Sequence, residues 1–467
     1  MEWDALILAR IQFAWTVAFH IIFPSFTIGL ASYLAVLEGS WLVTKNPAFR
    51  NLYLFWLKIF AIAFGMGVVS GVVMSYQFGT NWSGFADKGG SVIGPLLGYE
   101  VLTAFFLEAS FLGIMLFGWK RVGPTLHFVA TCAVAVGTLF SAFWIIAANS
   151  WMQTPVGFAW DGPRMVATNY WAVIFNPSMP VRLAHMVLAA YLTTGLFVLA
   201  TAAWLKLRGR INAETRIMQR MAIALVAVLA PLQLIAGHES GKVAHAHQPA
   251  KVMAMEGWYE TARQPAILLG WPDPVRQTTD VWLALPDGIG SWVVTGDADA
   301  VLPGLKTVAP ADRPPVGIVF WSFRVMVGLG IAMIGLGLLG ALLWATGRLD
   351  NARAFHWLAV PMGASGFVAV VAGWFAAEVG RQPWVVYGVV RTADAVSPVS
   401  VGAVASSLIA FLIVYAIVFA AGVWYIFRLA DKGPEVGETA PTPPNEAPGS
   451  ALAMVTETAP ETAGATA

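Results

Sequence analysis

Residues 316–344 read VGIVFWSFRVMVGLGIAMIGLGLLGALLW and contain a single charged side chain, Arg324. A helix needs about 20 mostly apolar residues to cross the hydrocarbon core of a bilayer, so this segment predicts a transmembrane helix. Further segments of the same kind predict an all-α, polytopic membrane helical bundle of about nine transmembrane helices. The predicted spans cover residues 12–38, 54–79, 95–117, 126–150, 181–206, 217–238, 316–344, 355–377 and 399–428.

The composition of the whole chain agrees with a membrane protein. Of its 467 residues, 58% are hydrophobic and 11% are charged, whereas soluble globular proteins carry about 25% charged residues. The 27 basic and 26 acidic residues nearly balance, so no strong positive field is available to bind nucleic acid. The single cysteine, Cys132, excludes a disulfide framework, a thiolate zinc site and an iron–sulfur cluster.

Basic residues indicate how the chain is oriented. Lysine and arginine follow the first, third, fifth, seventh and ninth spans, as Lys45, Lys120 and Lys206 illustrate. Because short cytoplasmic loops collect these residues, we expect the N-terminus outside and the C-terminus in the cytoplasm. The predicted segments are residues 1–238 with six transmembrane helices, an extracytoplasmic loop at 239–315, three helices in 316–430, and a disordered acidic cytoplasmic tail at 431–467.

Ionisable residues inside the predicted spans are candidate functional residues, because their burial in a membrane is costly. The predicted spans and orientation place His20, His185, Met326 and Glu378 at a similar depth on four different spans. Imidazole, thioether and carboxylate groups can all bind haem iron, and helix bundles build such sites from facing side chains. The remaining ionisable residues include His127 and His356, which we expect to be interfacial and satisfied by water, and Lys58, which can snorkel to the surface.

Seven sequence blocks then carry a resemblance to a known family. The blocks are RIQFAWTVAFH (10–20), GYEVLTAFFLEASFLG (98–113), WIIAANSWMQ (144–153), VRLAHM (181–186), GHESGKVAHAHQPAKVMAME (237–256), WSFRVMVGLG (321–330) and GWFAAEVGRQPW (373–384). With these blocks in order, the chain from the first to the last span resembles subunit I of the cytochrome bd-type quinol oxidases. The short loop at 239–315 resembles the short Q-loop group, which includes oxidases described as cyanide-insensitive.

The resemblance implies a set of haem-binding residues. His185 and Met326 match the axial ligands of a low-spin haem b, and Arg324 lies beside them. His20 and Glu378 match the iron ligands of two high-spin haems, one a haem b and the other a haem d, or a further haem b in its place. Which of the two binds haem d is left open. Trp374 and Arg381 match family residues that pack around this haem pair.

The resemblance also implies quinol and proton sites. Lys251 and Glu256 match quinol-binding residues; without the resemblance, a solvated surface pair would be the favoured interpretation. Glu100 and Glu108 match acids of the oxygen site and its proton supply. On a regular helix they are separated by ~12 Å of rise and about 80° in direction, so water or Ser141 would have to bridge them. The alternative is that either acid only hydrogen-bonds a neighbouring helix or supports a haem.

Together these matches imply an enzyme of the bacterial cytoplasmic (inner) membrane. Quinol would be oxidised at the outer face and dioxygen reduced to water, with a proton gradient generated by charge separation and without a proton pump. The implied partners are subunit II, with a small single-helix subunit as an optional addition, and membrane lipid; the implied substrates are quinol and dioxygen. Two alternatives stay open, a proton-coupled secondary transporter using Glu100 and Glu108, and a haem-bearing membrane anchor without an oxygen site.

Overall fold

A computed structural model of the chain describes residues 4–435. Within this range nine helices are long and apolar enough to cross a membrane, which confirms the predicted helical bundle. The helices run further than the apolar segments, because polar residues continue the helices beyond the hydrocarbon core. The nine spans are Ala5–Thr44, Pro47–Thr80, Ser83–Lys120, Pro124–Gln153, Met179–Leu207, Ala213–His247, Val316–Ala345, Arg353–Val379 and Val401–Lys432.

Several helix ends follow from local sequence. Asn46 accepts a hydrogen bond from the backbone of Ala48 (3.0 Å), and Pro47 then occupies the first helical position of the second span. Asn212 caps the sixth span by accepting from the backbone of Thr215 (3.0 Å). Such side chains satisfy backbone N–H groups that have no partner within the helix. The eighth span is broken after Met362 and resumes at Ser365, where Pro361 precedes the break.

The fifth span lies at the centre of the bundle and packs against the first, fourth, sixth and eighth spans. Glycines allow this close approach. A methyl group on Gly29 would lie 2.4 Å from Oγ1 of Thr194, and one on Gly366 would lie 2.6 Å from Cα of Thr193. Small residues at such positions let helix backbones come together in a membrane, where burial from water gives no driving force between helices.

The third span contains a π-helical turn, Val101–Phe105, between the α-helical segments Ser83–Glu100 and Phe106–Phe117. A π-turn closes its hydrogen bonds at i→i+5, so it accommodates an additional residue. The separation of eight positions between Glu100 and Glu108 therefore corresponds to about seven positions of a regular α-helix, which is close to two full turns. The two glutamate side chains therefore lie on nearly the same face of the third span. The expected difference of about 80° between their directions assumes a regular helix and is wrong.

The loop between the sixth and seventh spans is folded. The sixth span continues to His247, beyond its predicted end at 238, and a short helix, Pro249–Glu256, follows. Further along come the helix Ile289–Thr295 and single-turn helices at Leu305–Thr307 and Pro310–Asp312. Two antiparallel pairs of strands complete the loop, Ala262–Arg263 with Val301–Leu302 and Ala266–Asp273 with Thr278–Leu285.

The side of the bundle that carries residues 248–315 is called the loop side below. The segments joining the fourth to the fifth span and the eighth to the ninth span lie there too, since Tyr387 N–H donates to the Met152 carbonyl and Arg391 pairs with Asp312. Those segments hold the remaining strand pairs, Phe158–Asp161 with Arg164–Ala167 and Trp384–Val386 with Val390–Arg391, and the short helix Tyr170–Ile174. Of the predicted tail, residues 436–467 lie outside the described residues.

Candidate functional site

Glu378, at the loop-side end of the eighth span, is surrounded by nitrogen donors. Its Oε1 accepts from Asn149 Nδ2 (3.1 Å) and Gln153 Nε2 (3.0 Å), and its Oε2 accepts from Arg381 (2.5 Å). Arg182 lies 3.9 Å away. The structure thus brings the predicted residues Glu378 and Arg381 together, and the site they form also includes three residues that were not singled out from the sequence.

Those three residues come from the fourth and fifth spans. Arg182 donates to Asn149 Oδ1 (2.5 Å) and to Ser150 Oγ (3.0 Å), so it holds Asn149 against Glu378. Arg182 lies one helical turn before His185. The signal for all three was present, because Asn149 and Gln153 lie in the block WIIAANSWMQ and Arg182 lies in the block VRLAHM.

The half-buried ring of His20 faces the second span. Its Nδ1 lies 3.0 Å from Oγ of Ser70, which itself donates to the Met66 carbonyl (2.9 Å). A methyl group on Gly71 would lie 3.2 Å from the ring carbon Cε1. A serine partner fixes one ring nitrogen, which leaves Nε2 as the nitrogen that can bind a metal ion.

His185 lies on the fifth span and Met326 on the seventh. Both of these spans pack against the sixth and eighth spans. Within residues 4–435, Nδ1 of His185 is buried without a hydrogen-bond partner, and Nε2 lies 3.2 Å from Gln233 Nε2. A methyl group on Gly237 would lie 3.2 Å from Cε1 of His185, and one on Gly373 would lie 2.9 Å from the Met326 sulfur. An incompletely partnered imidazole and a thioether, both beside glycines, fit the ligand types of a haem iron. Trp374, next to Gly373, is half-buried.

Lys251 extends from the short helix Pro249–Glu256 into the Glu378 cluster. Its Nζ donates to Gln153 Oε1 (2.5 Å), and a methyl group on Gly380 would lie 2.9 Å from Cγ of the lysine. Burial lowers the pKa of the Lys251 ammonium group well below its usual range; Arg182 lowers it further, and Glu378 opposes the shift. Because Lys251 is only 6% exposed, the interpretation of a solvated surface pair is wrong.

Glu256 lies on the same short helix as Lys251 but contacts the seventh span and not the Glu378 cluster. It pairs with Arg324 (Oε2 to NH2, 3.0 Å). The Arg324 guanidinium also donates to the Met255 carbonyl and to the Ile267 carbonyl (2.7 Å), and it lies 3.7 Å from the Phe320 ring centroid. Burial raises the pKa of the Glu256 carboxyl group, and the Arg324 charge opposes that rise. Arg324, which lies two residues before Met326 on the seventh span, therefore links this span to the loop.

Glu100 and Glu108 both face the fourth span. Ser141 Oγ donates to Glu100 Oε1 (2.8 Å). Glu108 lies against Gly137, one helical turn from Ser141, and in the described part of the chain its Oε1 is buried without a hydrogen-bond partner. The π-helical turn is what directs the two carboxylates to one face of the neighbouring helix.

We expect Gly137→Ala to lower oxygen reduction by roughly tenfold or more, since a methyl group there would lie 2.6 Å from Cγ of Glu108 and displace the carboxylate. A misplacement of about 1 Å can cost ~10²-fold in rate. The control is Gly113→Ala in the third span, where an added methyl group meets no atom within 4 Å among the described residues. Oxygen uptake per haem measures the effect, and equal rates in both variants would contradict it.

One buried pair was missed because Glu38 was the last residue of the predicted first span. His127 Nδ1 lies 2.6 Å from Glu38 Oε1, and Thr131 Oγ1 donates to Glu38 Oε2 (2.5 Å). His127 and Glu38 are each 1% exposed. The expectation that His127 is interfacial and satisfied by water is therefore wrong; His356, also 1% exposed, is likewise buried.

Comparisons with known proteins agree with this arrangement. The sequence profile of the family described as "Cytochrome bd terminal oxidase subunit I" matches residues 8–434. The chain is 35% identical to the cytochrome bd ubiquinol oxidase subunit 1 of Bacillus subtilis (strain 168), over 92% of this chain and 94% of that protein. It is 33% identical to the cytochrome bd-II ubiquinol oxidase subunit 1 of Escherichia coli (strain K12), over 92% and 97%.

The fold has a solved counterpart in the bd oxidase from Geobacillus thermodenitrificans. The TM-score is 0.84 at 29% sequence identity, and the match covers 92% of this chain and 99% of that chain. The helical bundle, its half-buried imidazole, thioether and carboxylate groups, and these relatives together define a multi-pass membrane oxidoreductase. The chain belongs to the cytochrome bd terminal oxidase subunit I family.

Membership in this family has direct consequences for function. The chain is part of a quinol oxidase, a terminal oxidoreductase of the respiratory chain. Haem cofactors, a quinol substrate and a partner subunit are implied by the family. The comparisons support neither the secondary transporter nor the membrane anchor.

Proposed function

We propose that this chain binds the haems and the quinol of a bd-type oxidase in the bacterial cytoplasmic membrane, with its loop side outside. The observation that carries the proposal is the position of the short helix Pro249–Glu256. From this one helix, Lys251 reaches the Glu378 cluster and Glu256 reaches Arg324, two residues from Met326. A quinol bound at this helix would therefore lie close to two of the proposed haem ligands, Glu378 and Met326.

His185 and Met326 would hold a low-spin haem b, and His20 and Glu378 would hold two high-spin haems, a haem b and either a haem d or a further haem b. When bound, these groups carry the electrons and bind dioxygen. The glycines at positions 71, 237 and 373 support the proposal, because each leaves space beside a proposed ligand. The Asn149 and Gln153 side chains orient the Glu378 carboxylate, as partners of metal ligands commonly do.

Glu256 would accept a proton from the quinol. Its position on the loop side would release that proton outside, whereas protons for water would come from the cytoplasm through Glu108, Ser141 and Glu100. Charge separation would then follow from the locations of the quinol site and the oxygen site, without a proton pump. Subunit II would cover part of the membrane-facing surface, with a small single-helix subunit as an optional addition.

The pH dependence of quinol oxidation tests the role of Glu256. Only its deprotonated form accepts a proton, and its raised pKa means that this form appears at a higher pH than for an ordinary glutamate. We expect the wild-type rate to rise with pH through that raised pKa. Glu256→Gln should lower the rate and remove the rise, with normal haem content, in a steady-state assay of quinol oxidation across pH.

The matched control is Glu260→Gln, because Glu260 lies in the same loop but is exposed and pairs with Lys306. It should keep both the rate and the pH profile of the wild type. The same assay covers Lys251→Ala, which we expect to impair quinol oxidation with the haem retained. Normal turnover with quinol in both Glu256→Gln and Lys251→Ala would show that the quinol binds elsewhere.

A further inference from the structure

The longer hairpin of the loop, in which Ala266–Asp273 pairs with Thr278–Leu285, exposes many apolar side chains. In its two strands, seven leucine, valine and tryptophan side chains are between 43% and 63% exposed, and the largest of them are Trp271 and Trp282. Soluble surfaces rarely expose large apolar patches, and such patches commonly mark interaction surfaces. The hairpin is therefore a candidate for contact with an apolar environment.

The charges of the hairpin are few and are concentrated near its turn. Asp273, Arg276 and Asp280 are the charged side chains between positions 266 and 285. Arg276 pairs with Asp273 (2.6 Å) and with Asp280 (2.5 Å). The strand residues further from the turn therefore present only uncharged side chains to their surroundings.

The hairpin lies beside the seventh span and not beyond its end. Arg324 donates to the Ile267 carbonyl (2.7 Å), and Arg324 lies about 12 Å along the helix from Val316, where the span begins. The helix has 30 residues and is about 45 Å long, whereas the hydrocarbon core is about 30 Å thick. With equal extensions of about 7 Å beyond both faces of the core, the hairpin begins about 5 Å inside the hydrocarbon boundary.

The apolar surface of the hairpin continues the exposed surface of this span. Ile318 and Val325 lie seven residues apart on one face of the helix and are 54% and 40% exposed. Trp321 lies between them on the same face. Its ring centroid is 6.4 Å from that of Trp271 and 6.2 Å from that of Trp282. Three tryptophan rings therefore meet where the hairpin joins the exposed face of a transmembrane helix.

We propose that this hairpin is embedded in the membrane, at the boundary between headgroups and acyl chains of the lipid leaflet on the loop side. Tryptophan is enriched at that depth, because its indole ring is amphipathic. Deeper insertion is unfavourable, since the open edges of a two-stranded sheet would leave backbone groups unpaired in hydrocarbon. The inference does not depend on the proposed function, because neither a haem nor a quinol enters the argument.

Spin labels on the complete oxidase, reconstituted in lipid vesicles, test the proposal. Cys132→Ser removes the one cysteine of the chain, and Trp282→Cys or Leu283→Cys then carries the label. Molecular oxygen concentrates among acyl chains, whereas a nickel chelate stays in water. We expect the ratio of oxygen collisions to nickel collisions to be severalfold higher at positions 282 and 283 than at a control position in the same loop.

The matched control is Val301→Cys. Val301 is 63% exposed, as Trp282 is, but it lies opposite Arg263 in its strand pair, and directly opposite residues share one face of a sheet. Because Arg263 is a charged neighbour, we expect this position to face water. Cys132→Ser alone gives the background from any label on the partner subunit, which is subtracted.

Two results would overturn the proposal. Equal ratios at positions 282, 283 and 301 would place the hairpin in water. Suppressed collisions with both reagents at positions 282 and 283 would show that a protein partner, and not lipid, covers the hairpin. Leu283→Cys leaves Trp271 and Trp282 in place, so its result decides the test if Trp282→Cys disturbs the hairpin.

Discussion

Met326→Leu is expected to abolish the low-spin haem b signal and quinol-dependent oxygen uptake while retaining some high-spin haem. Leucine has nearly the same volume as methionine, so packing of the seventh span should survive. The substitution removes the sulfur, which is the proposed iron ligand on this span. The measurement is the reduced-minus-oxidised absorbance spectrum together with oxygen uptake.

Met333→Leu is the matched control, because Met333 is buried in the same span and is not a proposed ligand; it should keep both signals. Gly373→Ala offers a second check, since the added methyl group would lie 2.9 Å from the Met326 sulfur. We expect it to weaken the low-spin signal, whereas Gly330→Ala, with open space in the described structure, should not. An unchanged low-spin spectrum in Met326→Leu would remove Met326 from the ligand set.

Glu108→Gln is expected to retain reducible haems and to lose most oxygen reduction, by about 10²-fold, as is typical when a proton-transferring group is removed. Glutamine keeps the shape of the side chain and its hydrogen-bonding capacity but cannot titrate. Glu108 suits this role because it lies in the third span on the same face as Glu100, which Ser141 contacts. Oxygen uptake per haem with excess quinol measures the loss.

Glu100→Gln should in addition disturb the high-spin haem spectrum, because Glu100 is expected at the depth of His20. The two variants therefore separate proton supply from the oxygen site. If Glu108→Gln turns over like the wild type with a full haem complement, protons reach the oxygen site by another route.

The sequence predicted the number of spans well because crossing a membrane requires a long apolar segment, and that requirement is visible in one dimension. It predicted their ends less well. The sixth helix continues to His247 and the first to Thr44, since a helix can extend into water without an apolar sequence. For the same reason the apolar segment of the first span ends at Glu38, although Glu38 is buried inside the helix and paired with His127.

Contacts between spans were harder to predict than the spans themselves. Sequence blocks contained Asn149, Gln153 and Arg182, but the sequence alone does not show that they meet at Glu378. Their meeting depends on how the fourth, fifth and eighth spans pack. Similarly, a regular helix was the natural assumption for the third span, and the π-helical turn that aligns Glu100 with Glu108 has no signature in residue spacing.

Quinol-dependent oxygen uptake by the purified, haem-loaded oxidase tests the central claim most directly. The account predicts that added quinol is oxidised with consumption of dioxygen and formation of water, and that uptake fails in Met326→Leu. A haem-loaded protein that is reduced by quinol and consumes no oxygen would contradict the account.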